Sequence, residues 1–109
     1  MNMEGFSNAA DAEELSLRRM KRVVVEDRDI ALFSDGGRIF AVQNDCPHQH
    51  FSMLHEGELK ECRITCPMHG WTFDLESGRS TIGSGRLKRY NVKVIGGRVW
   101  VGGLISDQE

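Results

Sequence analysis

The sequence predicts an antiparallel all-β domain, and three observations carry that prediction. From Lys21 onward the chain is a series of short runs rich in β-branched and aromatic residues. Residues that take positive φ at little cost, Asp35-Gly36-Gly37 and Gly96-Gly97, stand between runs where tight hairpins need them. In the last hairpin Val92, Val94, Val99 and Val101 alternate with Asn91, Lys93, Arg98 and Trp100, the period of a strand with one packed and one wetter face.

Taken in order, the expected strands cover residues 21–26, 30–33, 38–43, 63–66, 72–75, 90–95 and 98–101. Glu76-Ser77-Gly78 supplies the turn after the fifth of them. Before Leu15 the pattern changes: Asn8 followed by Ala9, Ala10, Asp11, Ala12, Glu13 and Glu14 reads either as one or two capped helical turns or as a frayed acidic tail. No repeat, low-complexity tract or linker divides the chain. The expected organisation is a tail or short helix over 1–14, one domain over 15–104 and a C-terminal tail over 105–109.

A chain of 109 residues has room for a single hydrophobic core. Its 14 basic and 16 acidic residues leave a formal net charge of −2, so no surface built to neutralise phosphates or anionic lipid is expected. Nucleic acid and membrane are therefore not the expected partners. No apolar run approaches the length of a bilayer crossing, and the N-terminus has neither the order of a secretory signal nor a twin-arginine leader, so the expected location is cytoplasmic. Three cysteines, Cys46, Cys62 and Cys66, are too few and too unevenly placed for a disulfide framework. Metal ligation suits them better, since His48, His50, His55 and His69 all fall in the same short stretch.

Within that stretch two loops, Cys46-Pro47-His48 and Cys66-Pro67-Met68-His69, each offer one thiolate and one imidazole. The pattern C-x-H, a spacer, then C-x-x-H continued by Gly70-Trp71-Thr72-Phe73-Asp74 resembles the signature of the Rieske family, over roughly residues 15–101. The resemblance implies a Rieske-type antiparallel β sandwich with a cluster-binding subdomain of two ligand loops at about residues 44–74. It also implies one [2Fe–2S] cluster, its inner iron held by Cys46 and Cys66 and its outer iron by His48 and His69. Imidazoles in place of two thiolates leave the oxidised centre formally neutral and the reduced one with a single negative charge. That is one reason such potentials lie above those of four-cysteine clusters. Pro47 and Pro67 limit the backbone just after each cysteine. The alternative is a zinc-binding module, since two cysteines and two histidines also suit tetrahedral zinc, but zinc spacings usually pair like with like and here each loop is mixed.

Neighbouring residues carry smaller expectations. Cys62, Ile64 and Cys66 alternate along one expected strand, which makes Cys62 a buried thiol on the face of Cys66. His50 and His55 lie outside the ligand spacing and read as exposed loop histidines. Trp71 and Phe73 read as packing beneath the loops, and Trp100 as packing elsewhere.

Within the family, Rieske domains of cytochrome bc complexes join an extra cysteine from each loop in a disulfide. The matching positions here are Phe51 and Met68. Trp71 and Phe73 replace the serine and tyrosine that donate hydrogen bonds to sulfur in those proteins, so the potential should fall towards the low end of the range, about −150 mV. The chain has no histidine after His69 for the second iron of a ring-hydroxylating oxygenase. What remains resembles the stand-alone ferredoxins: a one-electron carrier, itself no enzyme, that passes electrons from a flavin reductase to a terminal oxygenase. The alternative is the small subunit of an assimilatory NAD(P)H nitrite reductase, with that enzyme's large subunit as partner. The first is favoured because all four ligands are retained, as a shuttle requires. A monomer is expected. Two departures from the ferredoxins touch the partner-facing surface. The spacer over residues 49–55 lacks their small residues and proline, and the stretch 81–87 lacks the proline of their third loop, where glycines permit close approach instead.

Overall fold

The computed structural model describes residues 5–46, 53–67, 70–83 and 85–105. In chain order it contains β1 (Ser7–Asp11), α1 (Ala12–Arg18), β2 (Met20–Val25), β3 (Arg28–Asp35), β4 (Arg38–Gln43), a 3₁₀ turn at Leu54–Glu56, β5 (Glu58–Lys60), β6 (Arg63–Thr65), β7 (Thr72–Asp74), β8 (Ser80–Ile82), β9 (Arg89–Ile95) and β10 (Arg98–Leu104). Six strands form one sheet in the order β1-β10-β9-β4-β3-β2 and four form a second in the order β5-β6-β7-β8. The pairings are antiparallel, as the alternation and turns in the sequence predict. No helix among the described residues is long and apolar enough to cross a membrane.

The run Ile30-Ala31-Leu32-Phe33 explains how the two sheets are arranged. All four residues have no exposed surface, and because side chains alternate along a strand they divide between two cores. Ile30 and Leu32 join Leu15, Val25, Ala41, Tyr90, Val99 and Val101 in one core. Ala31 and Phe33 join Val42, Leu54, Leu59, Ile64, Phe73, Leu75 and Leu87, together with Cys46 and Cys66, in the other. Ala41 and Val42 on β4 divide in the same way. The smaller sheet therefore sits on one face of the β3–β4 hairpin, and β1, α1, β2, β9 and β10 enclose the other face.

Polar links also tie the sheets together, and in one of them Arg89 Nη1 donates to Glu76 O at 2.6 Å. Asp35 Oδ2 accepts the backbone N–H of Cys62 at 2.7 Å, and Arg38 pairs with Glu76, which holds the guanidinium above its ordinary pKa by hydrogen bonding. The Arg38–Glu76 pair is half-exposed on both sides, and solvent screens such pairs so that they add little. A fully buried phenylalanine contributes about 1.5–3 kcal/mol, so packing rather than ion pairing holds the small sheet in place.

Four two-residue turns close hairpins with positive φ at both positions: Gly36-Gly37 at 61° and 84°, Gly96-Gly97 at 61° and 76°, Glu26-Asp27 at 50° and 66°, and Glu61-Cys62 at 53° and 60°. The glycine pairs match the sequence reading. The other two are non-glycine turns held by their ladders, Val25 opposite Arg28 and Lys60 opposite Arg63. The short strands β5 and β8 also carried no sequence signal.

The segment before Leu15 differs from both readings of the sequence. Ser7–Asp11 is a strand on β10, and the helix starts only at Ala12, capped by Asp11 rather than Asn8. Asn8 stands opposite Trp100 in the ladder, whereas Asp11 Oδ1 is at the strand end and accepts the Glu14 N–H at 2.9 Å. The helix ends at Arg19, with φ 70° and its N–H bonded to Leu15 O at 2.7 Å, after placing the fully buried Leu15 in the core.

Gly57 shows how tightly the small sheet is built around its turn. A Cβ there would stand 2.1 Å from Thr65 O, a backbone atom, although its φ of −81° suits any residue. Gly57→Ala is therefore expected to destabilise the fold by about 2 kcal/mol through overpacking alone. Thermal unfolding followed by circular dichroism should show a melting temperature lower by roughly 10 °C.

Candidate metal centre

Two loops leave the strands with a cysteine at the base of each. β4 ends at Gln43, whose side chain fixes both flanks: Nε2 donates to Asp45 O at 2.7 Å and Oε1 accepts the Lys88 N–H at 2.7 Å. Cys46 follows, 1% exposed. The chain returns at Leu54, whose N–H bonds to Asn44 O at 3.0 Å and so closes the loop. The second loop leaves β6 after Thr65 with Cys66, 2% exposed, and its mouth is closed by Cys66 N–H to Trp71 O at 2.7 Å and Gly70 N–H to Cys66 O at 3.2 Å. Gly70 takes φ 74°, which lets the chain turn back into β7.

Cys46 and Cys66 thus come from different elements but enter the same core cluster, and neither is in a disulfide. His48 and His69 lie outside the described residues, as do Pro47, Gln49, His50, Phe51 and Met68. Among the described residues no group of three or more His, Cys, Asp or Glu side chains converges as a metal site. The chemistry of the described donors nonetheless suits a thiolate-held iron: two soft sulfurs buried in apolar surroundings, each at the root of a loop that carries an imidazole two or three residues on.

Gly83, after β8, packs on Trp71, which follows the second loop. Trp71 packs on the core beside Phe73, which is fully buried, so both read correctly as packing. The indole lies against the backbone of Gly83, where a Cβ would meet Trp71 at 2.3 Å, and Gly83 takes φ 96°. A glycine in place of the expected proline therefore serves close approach, as the sequence suggests. A cavity of about 250 Å³ elsewhere is lined by Ile39, Phe40, Leu75, Arg89, Tyr90 and neighbours and contains no thiol.

Two expectations need correction. Cys62 is not on a strand facing the core with Cys66. The register of Lys60 opposite Arg63 makes Glu61-Cys62 the turn, and Cys62 is half-buried there. His55 is not a loose loop histidine: its side chain is 21% exposed, with Nδ1 3.1 Å from Asn44 Oδ1. Asn44, fully buried, escaped the sequence reading because an asparagine after a strand looks like an ordinary turn residue.

Comparison with known proteins places this geometry. The Rieske [2Fe-2S] domain family matches residues 6–90. The ferredoxin component of the naphthalene 1,2-dioxygenase system of Pseudomonas aeruginosa is 36% identical over 81 residues, covering 72% of this chain and 77% of that protein. The 4beta-methylsterol monooxygenase of Methylococcus capsulatus is 34% identical over 99 residues, but the chain spans only 27% of its length. Among solved structures, a chain from a complex of reduced oxygenase and oxidised ferredoxin in carbazole 1,9a-dioxygenase superposes with a TM-score of 0.83 at 25% identity, over 96% of this chain and 99% of that one.

The burial of the three thiols generates a direct check. A small alkylating reagent applied to the native protein should modify Cys62 first, with Cys46 and Cys66 reacting only on unfolding. Mass spectrometry of peptides taken through the reaction would show the order, and early labelling of Cys46 or Cys66 would contradict it.

Proposed function

Because the chain belongs to the Rieske [2Fe-2S] domain family, we propose that Cys46 and Cys66 hold one iron of its cluster and His48 and His69 the other. The observation that supports this assignment is the burial of both cysteines in one core at the bases of two separate loops. The cofactor is a Rieske-type [2Fe–2S] cluster, which when bound takes up and returns one electron. The protein is an electron carrier, a component of a larger oxidoreductase system rather than its catalytic part.

The chain's own residues contribute shielding and rigidity. Phe73, Leu54 and Ile64 exclude water around the two cysteines, and the hydrogen-bonded mouths of both loops limit how far the donors move. Neither Trp71 nor Phe73 carries a hydroxyl to donate to sulfur, which favours the oxidised state and a low potential for this family. Electrons come from a flavin reductase and go to a terminal oxygenase in the cytoplasm. Support for that partner pair comes from the naphthalene dioxygenase ferredoxin and from the carbazole dioxygenase complex of ferredoxin with oxygenase.

Purified protein should be red-brown, contain iron and sulfide in equal amounts, and on reduction give the low average g value of a histidine-ligated [2Fe–2S] centre. A colourless protein with stoichiometric zinc, from cells supplied with iron, would refute the reading. His69→Cys, where a cluster still assembles, should lower the reduction potential, because an added negative charge at that iron opposes the incoming electron. A potential equal to or above that of the unmodified protein would remove His69 from the ligand set. Stopped-flow oxidation of the reduced protein by a terminal oxygenase, compared with a nitrite reductase large subunit, distinguishes the two partner classes.

A further inference from the structure

The polar contacts at the mouth of the first loop support an inference that rests on Cys46 being a ligand. Asn44 has no exposed surface, and its groups reach two different elements. Towards β3, its N–H donates to Asp29 O at 3.0 Å and Nδ2 donates to Asp29 Oδ1 at 3.2 Å. Towards the 3₁₀ turn, its backbone O accepts the Leu54 N–H at 3.0 Å, and Oδ1 accepts the His55 N–H at 2.9 Å and the Nδ1 proton of His55 at 3.1 Å.

The orientation of this amide is fixed by chemistry. A backbone N–H can only donate and a carboxylate can only accept, so oxygen must face His55 and nitrogen must face Asp29. Asp29 is itself held by Arg22, with Nε to Oδ1 at 2.9 Å and Nη2 to Oδ2 at 3.2 Å. The chain Arg22–Asp29–Asn44–His55 therefore runs from β2 in the large sheet to the end of the spacer between the loops. It crosses the polypeptide two residues before Cys46.

We propose that Asn44 is a positioning residue that clamps the 3₁₀ turn at Leu54–Glu56 to β3, thereby fixing the path of the chain into Cys46 and limiting how the cluster can shift in its site. An alanine there would take the acceptor from the part-buried His55 N–H and remove one of the donors to Asp29 Oδ1, which keeps Arg22 Nε. The first loop would then sample several arrangements about its thiolate. The proposal concerns the hold on the cluster and is separable from overall stability.

The test compares holoproteins carrying Asn44→Ala, His55→Ala, Cys46→Ser and, as a control, Val99→Ala, which empties space in the other core. Asn44→Ala should release iron to a chelator several-fold faster than the unmodified protein, well below its melting temperature. Its reduced form should give broadened EPR lines from a spread of cluster geometries. His55→Ala, which keeps the backbone N–H bond to Asn44 and removes the Nδ1 contact along with the approach of Nε2 to Glu56, should shift both readouts in the same direction by less, and it carries the test where Asn44→Ala yields no holoprotein. Val99→Ala should lower the melting temperature while leaving release rate and line width unchanged. Asn44→Ala or His55→Ala behaving like Val99→Ala, with Cys46→Ser losing the native spectrum, would overturn the role of Asn44 and leave the ligand assignment standing. Retention of the native spectrum in Cys46→Ser would overturn the ligand assignment and this proposal with it.

Discussion

Strand β3 is apolar on both faces, and the position of everything else follows from that. A strand covered on one side can tolerate a small sheet docked loosely on its far edge. A strand covered on both sides must be enclosed, and here one face calls for the curled sheet with Leu15 and Val99 while the other calls for the small sheet with Ile64 and Phe73. A slip of one residue would exchange Leu32 and Phe33 between the cores and mismatch both. The two-residue turns at Glu26-Asp27 and Gly36-Gly37 prevent that slip by fixing β3 against β2 and β4 residue by residue.

The same constraint explains why the cysteines are where they are. Cys46 and Cys66 complete the core that Ala31 and Phe33 begin, so both thiols are anchored in the part of the molecule with the least freedom to relax. An electron carrier gains from this because little structure has to rearrange between its two charge states. The mouths of both loops are closed by backbone hydrogen bonds, and that of the first by the side chains of Gln43 and Asn44 as well.

Much of this was legible in the sequence, and the reasons are local. Alternating valines, paired glycines and the mixed Cys/His loops each carry their own signature within a few residues: the glycine pairs are the turns expected, the valines lie in the last hairpin with Val99 and Val101 buried but Val94 half-exposed, and the loops match the Rieske [2Fe-2S] domain family. What escaped depends on residues far apart in the chain. Ser7–Asp11 is a strand only because β10 offers it an edge, and on its own the segment is as good a helix start as any. Glu61-Cys62 is a turn only because β5 and β6 pair around it, which moved Cys62 off the strand where simple alternation had placed it. Asn44 and His55 are neighbours in space across a loop, and neither residue type announces such a contact.

The pairing of β1 with β10 also sets a direction for folding. Ser7 stands opposite Val101, so nearly the whole chain lies between partners in one ladder. The hairpins β2–β3, β3–β4 and β9–β10 close short loops and need only their own sequences. β1, although it precedes the other strands in the chain, has no β10 edge to join until the far end of the domain is in place. Its docking is consequently the latest of the large-sheet pairings to become available, and it brings Ala10 over the core as a closing step.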